Sequence, residues 1–255
     1  MRIAACVKHA VDEAELRIDQ NGRPLLEGAV AKMSTFDKNA VEEALRLRSE
    51  HGGDVVAFTL GSADAKKTLK DALAMGADRA VHVLAEHSRI DTLRIAELLA
   101  SALKKEGPFD LVLCSEGSSD IYAGLVPGML GELLGMTYVG YARKIDLSGS
   151  SARIERSLED SVETVEAPLP VVVSVVSEIN EPRYPTLIQI MQSSKKPLVE
   201  LDAHELAPPD THDPVSLISM SAQPTSRKRV MIEGSPDEAA SKLLAALEKE
   251  GVLFR

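Results

Sequence analysis

The sequence predicts an α/β protein with a parallel-core sheet and helices on both faces, and three observations predict it. Apolar strand-like runs alternate with segments of helical period four times before residue 135. Those runs are apolar throughout rather than at every second position, as strands covered on both sides are. The last of them enters a Gly/Ser-rich loop and then a helix start, across Val112 to Gly135 (VLCSEGSSDIYAGLVPGMLGELLG).

The elements follow in order. Arg2 to Val7 is a buried first strand, followed by a polar loop through His9, Asp12 and Glu13. Asp19–Gln20–Asn21–Gly22 reads as the turn of a hairpin between Leu16–Ile18 and Pro24–Leu26. Asp37 is placed as the N-cap of a helix that carries Val41, Ala44 and Leu45 inward and stops at Gly52–Gly53. Asp54 to Leu60 is the next strand, and Gly61–Ser62 leads into a helix with Ala65, Leu69, Ala72 and Leu73 inward and Gly76 at its end. Ala80 to Leu84 is a strand, and Asp91 to Lys105 a helix burying Ile95, Ala96, Leu99 and Leu103. Leu111 to Leu113 is the fourth strand. Its helix repeats Val126, Leu130, Leu133 and Leu134, with Pro127 in the first turn, where a missing N–H costs nothing, and Gly135 closing it.

Beyond Thr137 the pattern changes. Tyr138–Leu147, Ala152–Leu158, Val162–Glu166 and Pro170–Val176 read as antiparallel additions to the sheet. An irregular segment of prolines around Tyr184 follows. Ala207 to Pro224 reads as an extended arm, and Ser235–Pro236–Asp237–Glu238 as the capping box of a last helix with Ala239, Ala240, Leu243, Leu244 and Leu247 in one stripe. The division expected is residues 1–192 as a nucleotide-binding domain and 193–255 as an arm and helix that dock on a partner subunit.

Composition excludes several functions. A formal charge of −10 and a pI near 5.2 argue against nucleic acid, and 3% aromatic content without tryptophan argues against aromatic stacking platforms for single-stranded nucleic acid. The one dense basic cluster is Arg227–Lys228–Arg229, read as solvated. Cys6 and Cys114 lie in apolar runs and read as reduced core thiols, not a disulfide or metal site. The start, MRIAACVKHA, is charged too early for a signal peptide and no apolar run reaches membrane length, so the expected location is the cytoplasm. The six histidines are scattered; no Ser/His/Asp set, metal-ligand spacing or paired carboxylates stand out, and no catalytic residue is assigned.

In doubly covered parallel sheets, ligands sit beyond the carboxyl ends of the strands where strand order reverses. The loops there are Val7–Ala10, Leu60–Ala63 and Ser115–Val126. The last combines small polar residues with a helix start, whose unpaired N–H groups and partial positive charge suit an anion. No lysine or arginine lies between Ser115 and Gly135, so a phosphate there would rest on amides and hydroxyls.

Five stretches resemble one family, the beta subunit of electron-transfer flavoprotein: AVEEALRL (Ala40–Leu47), GSADAKKTLKDALAMGADRAVHV (Gly61–Val83), VETVEAPLPVVV (Val162–Val173), NEPRYPTLIQIM (Asn180–Met191) and Lys195–Lys196. They run in order through most of residues 1–200. The resemblance implies a Rossmann-like, adenine-nucleotide-binding subunit of a heterodimer, which holds AMP while the alpha subunit holds most of the FAD. It implies electrons taken from acyl-CoA dehydrogenase-type donors and passed to electron-transfer flavoprotein quinone oxidoreductase. With the strand-end loops, it places cofactor contacts at Cys6, Val7, Ser34, Phe36, Asp37, Leu60, Gly61, Ser115, Glu116, Gly117, Ser118, Ser119, Asp120, Ala123, Gly124, Leu125 and Val126. It places partner contacts at Tyr184, Leu187, Ile190 and Met191, with Leu187 as an apolar anchor. The competing reading packs Leu187 and Ile190 on this chain's own sheet.

The sequence departs from the family where phosphate would bind. Gly124–Leu125–Val126–Pro127 replaces Asn-Gln-Thr-Gly, and Ser34–Thr35–Phe36 replaces Asn-Pro-Phe. That leaves Ser118, Ser119 and backbone amides to hold a phosphate, with Asp120 as the acid beside them. A loop free of bulky side chains would also admit a second FAD in place of AMP, as in members that split an electron pair. A free-standing adenine-nucleotide-binding regulator is the other alternative. An ATP pyrophosphatase is disfavoured because VKHAVDE stands where SGGxDS belongs.

Overall fold

Strands β1 (Arg2–Cys6), β6 (Asp54–Gly61), β7 (Arg79–Leu84) and β8 (Leu111–Ser115) form the centre of a nine-stranded sheet, and almost every residue in them is buried. The computed structural model describes residues 1–12, 14–26, 28–85, 91–206, 215, 218–222 and 229–252. Glu13, Arg227, Lys228 and most of the arm expected over 207–224 lie outside the described residues. Between β1 and β6 come β2 (His9–Val11), the hairpin β3 (Arg17–Ile18) and β4 (Pro24–Leu25), β5 (Ala31–Met33) and helix α1 (Thr35–His51). β2 pairs antiparallel with β5 in a small separate sheet.

The helices divide between the two faces, because successive strand residues point to opposite sides. Ile3 and Ala5 pack with Val41 and Leu45 of α1 and with Leu69 and Leu73 of α2 (Lys66–Met75). Ala4 and Cys6 pack with Leu99 and Leu103 of α3 (Thr92–Glu106) and with Leu130 of α4 (Val126–Leu134). The helix stops expected at Gly52, Gly76 and Gly135 are where α1, α2 and α4 end. Gly76, with φ +138°, lies beyond what a side chain tolerates comfortably.

The remaining strands are β9 (Thr137–Ser148), β10 (Ser151–Ser157), β11 (Val162–Pro168), β12 (Val171–Val175) and β13 (Leu198–Asp202), and the sheet order is β11-β10-β9-β12-β8-β1-β6-β7-β13. Two strands expected as antiparallel additions are corrected. β12 lies parallel beside β8, and β9 lies parallel beside β12. In this sheet the antiparallel pairings among the described residues are β9 with β10 and β10 with β11, a meander at its edge. β12 is fully buried and takes the slot between β8 and β9, so its unbroken valines belong to the parallel core. At the opposite edge β13, from the segment read as an arm, pairs parallel with β7.

Two helices follow β12 and β13: α5 (Leu187–Ser193), which packs against α2, and the short α6 (Ala203–Leu206). The chain divides into compact units at Met220 and Ser221. In the second, α7 (Pro236–Lys249) begins with the expected capping box: the Glu238 amide donates to Ser235 Oγ at 3.4 Å and the Ser235 amide to Glu238 Oε2 at 2.9 Å. Among the described residues, no helix is long and apolar enough to cross a membrane.

Candidate functional site

Strand order reverses at β1. The chain moves from β1 to β6 and β7 on one side, then returns to place β8 on the other. The carboxyl ends of β1 and β8 therefore open a crevice between diverging connections, the position at which such sheets bind ligands. Of the expected residues, the structure brings together Cys6 and Val7, Ser34 to Asp37, and the loop Ser115 to Val126.

Ser34 precedes α1 in the N-cap position, yet its hydroxyl makes no bond to its own helix. It accepts instead from the Ser119 amide at 3.1 Å, tying the helix start to the β8 loop. Asp37, expected as the N-cap, stands one turn in and is 4% exposed. It faces inward because two donors wait there: the Lys8 amide donates to its Oδ2 at 2.6 Å, and Ser115 Oγ lies 2.5 Å from its Oδ1. Burial pushes the Asp37 carboxyl up to about 7, against the pull of the Ser115 and Lys8 hydrogen bonds. The Ser115 hydroxyl also donates to the Gly117 carbonyl at 2.8 Å. One hydroxyl hydrogen cannot serve two acceptors at once: Ser115 donates to the ionised Asp37 carboxylate, and when Asp37 is protonated its own hydrogen can go to Ser115 Oγ, which frees the Ser115 hydrogen for Gly117.

A cation does enter the loop, which corrects the expectation of amides and hydroxyls alone. Lys8, just beyond β1, reaches across the crevice so that Nζ lies 2.7 Å from Asp120 Oδ1 and 3.4 Å from Ser118 Oγ. The window from Ser115 to Gly135 could not reveal it, since Lys8 is distant in sequence and adjacent only through the β1–β8 pairing. Burial raises the Asp120 carboxyl, but Lys8, Ser118 and its own turn outweigh that and hold it below the usual range. Ser118 Oγ donates to Asp120 at 2.6 Å and the Val11 amide donates to the other oxygen at 3.4 Å, so Asp120 organises the loop.

Two sets of groups in the loop have no acceptor or donor among the described residues. Ser119 Oγ is buried without a partner. The amides of Ala123, Gly124, Leu125 and Val126 reach no protein acceptor, ahead of the first helical bond from Met129 to the Leu125 carbonyl. Gly124, at φ +66°, turns the chain there. The Ser119 hydroxyl is buried, whereas Ala123, Gly124 and Leu125 are exposed and Val126 half-buried; amides open to solvent just ahead of a helix are available to an anion, which can take several at once.

The loop is not free of bulk. Tyr122, at φ 54°, sets its ring against Gly117 and edge-on to Phe36, with ring centroids 5.5 Å apart. Leu60 and Gly61, at the end of β6, stand on the far side of β1 from this loop. The Gly61 carbonyl accepts from the Ala85 amide and lies 3.0 Å from His82 Nε2, so it serves the sheet. Cys6 and Cys114 are free buried thiols on neighbouring strands, and the Cys114 thiol is raised well above its ordinary range by Cys6 and by burial. No group of three or more potential metal ligands occurs among the described residues.

The second candidate surface hangs from α1. Asn39, Glu42 and Glu43 are buried polar residues in a helix whose sequence reads as amphipathic. They are buried because they clasp the chain that follows β12. Asn39 Nδ2 donates to the Ser177 and Asn180 carbonyls, and Asn180 Nδ2 donates to Glu43. Arg183 grips Glu42 with two side-chain bonds of 2.7 and 2.8 Å and its own amide at 3.1 Å. Burial raises the Glu42 carboxyl, but Arg183 outweighs it and holds the group below its usual range. Beyond this clasp α5 is capped by Thr186, whose side chain forms a capping box with Gln189. Tyr184 is 89% exposed and Leu187 73%, and Ile190 and Met191 are exposed too, as is Ile188, which sequence reasoning missed. The competing reading, with Leu187 and Ile190 packed on the chain's own sheet, does not hold.

The electron transfer flavoprotein domain matches residues 25–206. The chain is 33% identical over 254 residues to the electron transfer flavoprotein subunit beta of Bacillus subtilis, spanning 98% of each chain. It is 32% identical over 264 residues to the subunit of the same name from Thermoanaerobacterium thermosaccharolyticum, spanning 99% of this chain and all of that one.

Proposed function

Because the chain belongs to the electron transfer flavoprotein family, among its beta subunits, we propose that it is the nucleotide-holding half of a heterodimeric electron carrier. An alpha subunit holds most of the FAD, and the flavin carries the electrons. This chain binds AMP at the β1–β8 crevice, completes the FAD site, and presents α5 to the electron donor. The last helix and the chain leading to it dock on the alpha subunit.

The observation that carries the reading is the crevice itself. Four consecutive amides without acceptors among the described residues, a buried serine hydroxyl without a partner and one lysine all belong to the β8 loop and the end of β1, the strand ends where such sheets take ligands. These groups fit a phosphate: amides 123–126 and Ser119 Oγ donate, and Lys8, already pinned by Asp120, supplies charge. A single lysine half-neutralised by a carboxylate suits a monophosphate better than a diphosphate. AMP is therefore favoured over a second FAD.

At the other surface, Leu187 and its neighbours give a small apolar knob on a helix whose entry is fixed by the Arg183–Glu42 clasp. Such a knob fills a pocket on a partner and leaves it quickly, as a shuttle between an acyl-CoA dehydrogenase-type donor and a quinone oxidoreductase requires. The test is co-expression with an alpha subunit. A yellow complex that elutes as a heterodimer is expected, and a chain that stays monomeric and colourless beside its partner would overturn the proposal.

A further inference from the structure

Tyr122 is the one residue of the β8–α4 loop other than glycine with a left-handed backbone, at φ 54°. A large side chain in that conformation is strained, and such strain persists where its surroundings hold it and accumulates at ligand sites. The surroundings here are specific. A Cβ added at Gly117 would lie 2.8 Å from the Tyr122 ring, so glycine is needed for the ring to lie where it does. Phe36 meets the ring edge-to-face. Desolvation, and after it the Glu116 carboxylate beside its hydroxyl, pushes the Tyr122 phenol up to about 12. The residue nevertheless stays 51% exposed, and the unpaired amides begin at its immediate successor, Ala123.

Building on the nucleotide reading above, we propose that Tyr122, buttressed by Gly117 and Phe36, is the platform on which the base of the bound nucleotide stacks while the phosphate rests on amides 123–126. A rigid, half-exposed ring one residue from an anion cradle offers a purine what the cradle lacks: an apolar face worth about ten-fold or more in affinity. The chain has four tyrosines, four phenylalanines and no tryptophan, so an exposed tyrosine packed on a half-buried phenylalanine at this loop is not a by-product of an aromatic-rich surface.

The test compares the full chain, freed of co-purifying nucleotide, with Tyr122→Asn, which tolerates left-handed backbone, and with Tyr122→Phe. Titration calorimetry would use AMP and, as a base-free probe, ribose 5-phosphate. The proposal expects Tyr122→Asn to lose about ten-fold or more in AMP affinity with ribose 5-phosphate unchanged, and Tyr122→Phe to bind both as the parent does. AMP should also quench tyrosine emission, which no tryptophan masks, and the quench should shrink in Tyr122→Phe although binding persists. Unchanged or tighter AMP binding by Tyr122→Asn, or equal losses for both probes, would overturn the stacking role alone. A parent chain that binds neither probe would overturn the nucleotide reading and the stacking role with it.

Discussion

Replacing Asp37 with asparagine should remove a pH dependence built into the floor of the crevice. Asp37 sits with its carboxyl near 7 in the folded chain against an ordinary 3.8, because burial outweighs its hydrogen bonds. An acid raised in this way stabilises the fold fully below pH 3.8, and the contribution is lost as pH climbs to about 7, since over that span the unfolded chain releases a proton that the folded chain still holds. At 1.36 kcal/mol per pH unit, the whole span is worth about 4 kcal/mol, of which about 3 kcal/mol falls between pH 5 and 7. Asparagine has the hydrogen-bonding pattern of the neutral acid: its carbonyl accepts from the Lys8 amide, and its amino group donates to Ser115 Oγ, leaving the Ser115 hydrogen for Gly117. Urea unfolding followed by circular dichroism from pH 5 to 8.5 should show the parent losing stability against Asp37→Asn as pH rises, with the variant the more stable at pH 8. Parallel profiles for the two proteins across that range would refute the proton assignment.

Three further outcomes follow from the same contacts. Lys8→Ala removes the cation 2.7 Å from Asp120 and leaves that half-buried carboxylate unopposed; AMP affinity measured by calorimetry should fall about ten-fold or more, and its salt dependence should weaken. Arg183→Ala strands the buried Glu42 carboxylate and should cost about 1–3 kcal/mol in urea unfolding, with an added loss in the rate at which a donor dehydrogenase reduces the complex. Leu187→Asp alters a residue that is 73% exposed; stability should stay within about 0.5 kcal/mol while electron acceptance from the donor collapses, and unimpaired acceptance would remove α5 from the docking surface.

The local pattern carried most of the fold. The first four strand–helix pairs were legible because each strand is apolar throughout, each helix keeps one inward stripe, and Gly52, Gly76 and Gly135 stop their helices where they stand. The direction of β12 was not legible. Val171 to Val175 reads as a buried strand in any orientation, and the chain reaches its slot only after the β10–β11 excursion, which resembles an antiparallel series. The same limit applies to the site. The loop after β8 announces itself by composition, but Lys8 joins it through strand pairing, and Asp37 looks like a cap until two donors from β1 and β8 draw it inward. Asn39, Glu42 and Glu43 looked like an ordinary polar helix face. Their partners, Asn180 and Arg183, lie some 140 residues away in the chain.

The central claim is that the loop between β8 and α4 cradles an adenosine phosphate. The most direct measurement is to denature the purified heterodimer and count the released small molecules by chromatography and mass spectrometry. One AMP and one FAD per heterodimer is the result expected, with AMP lost and FAD retained when Lys8→Ala is combined with Tyr122→Asn. A complex that releases its FAD and no second adenosine phosphate of any kind would contradict the account.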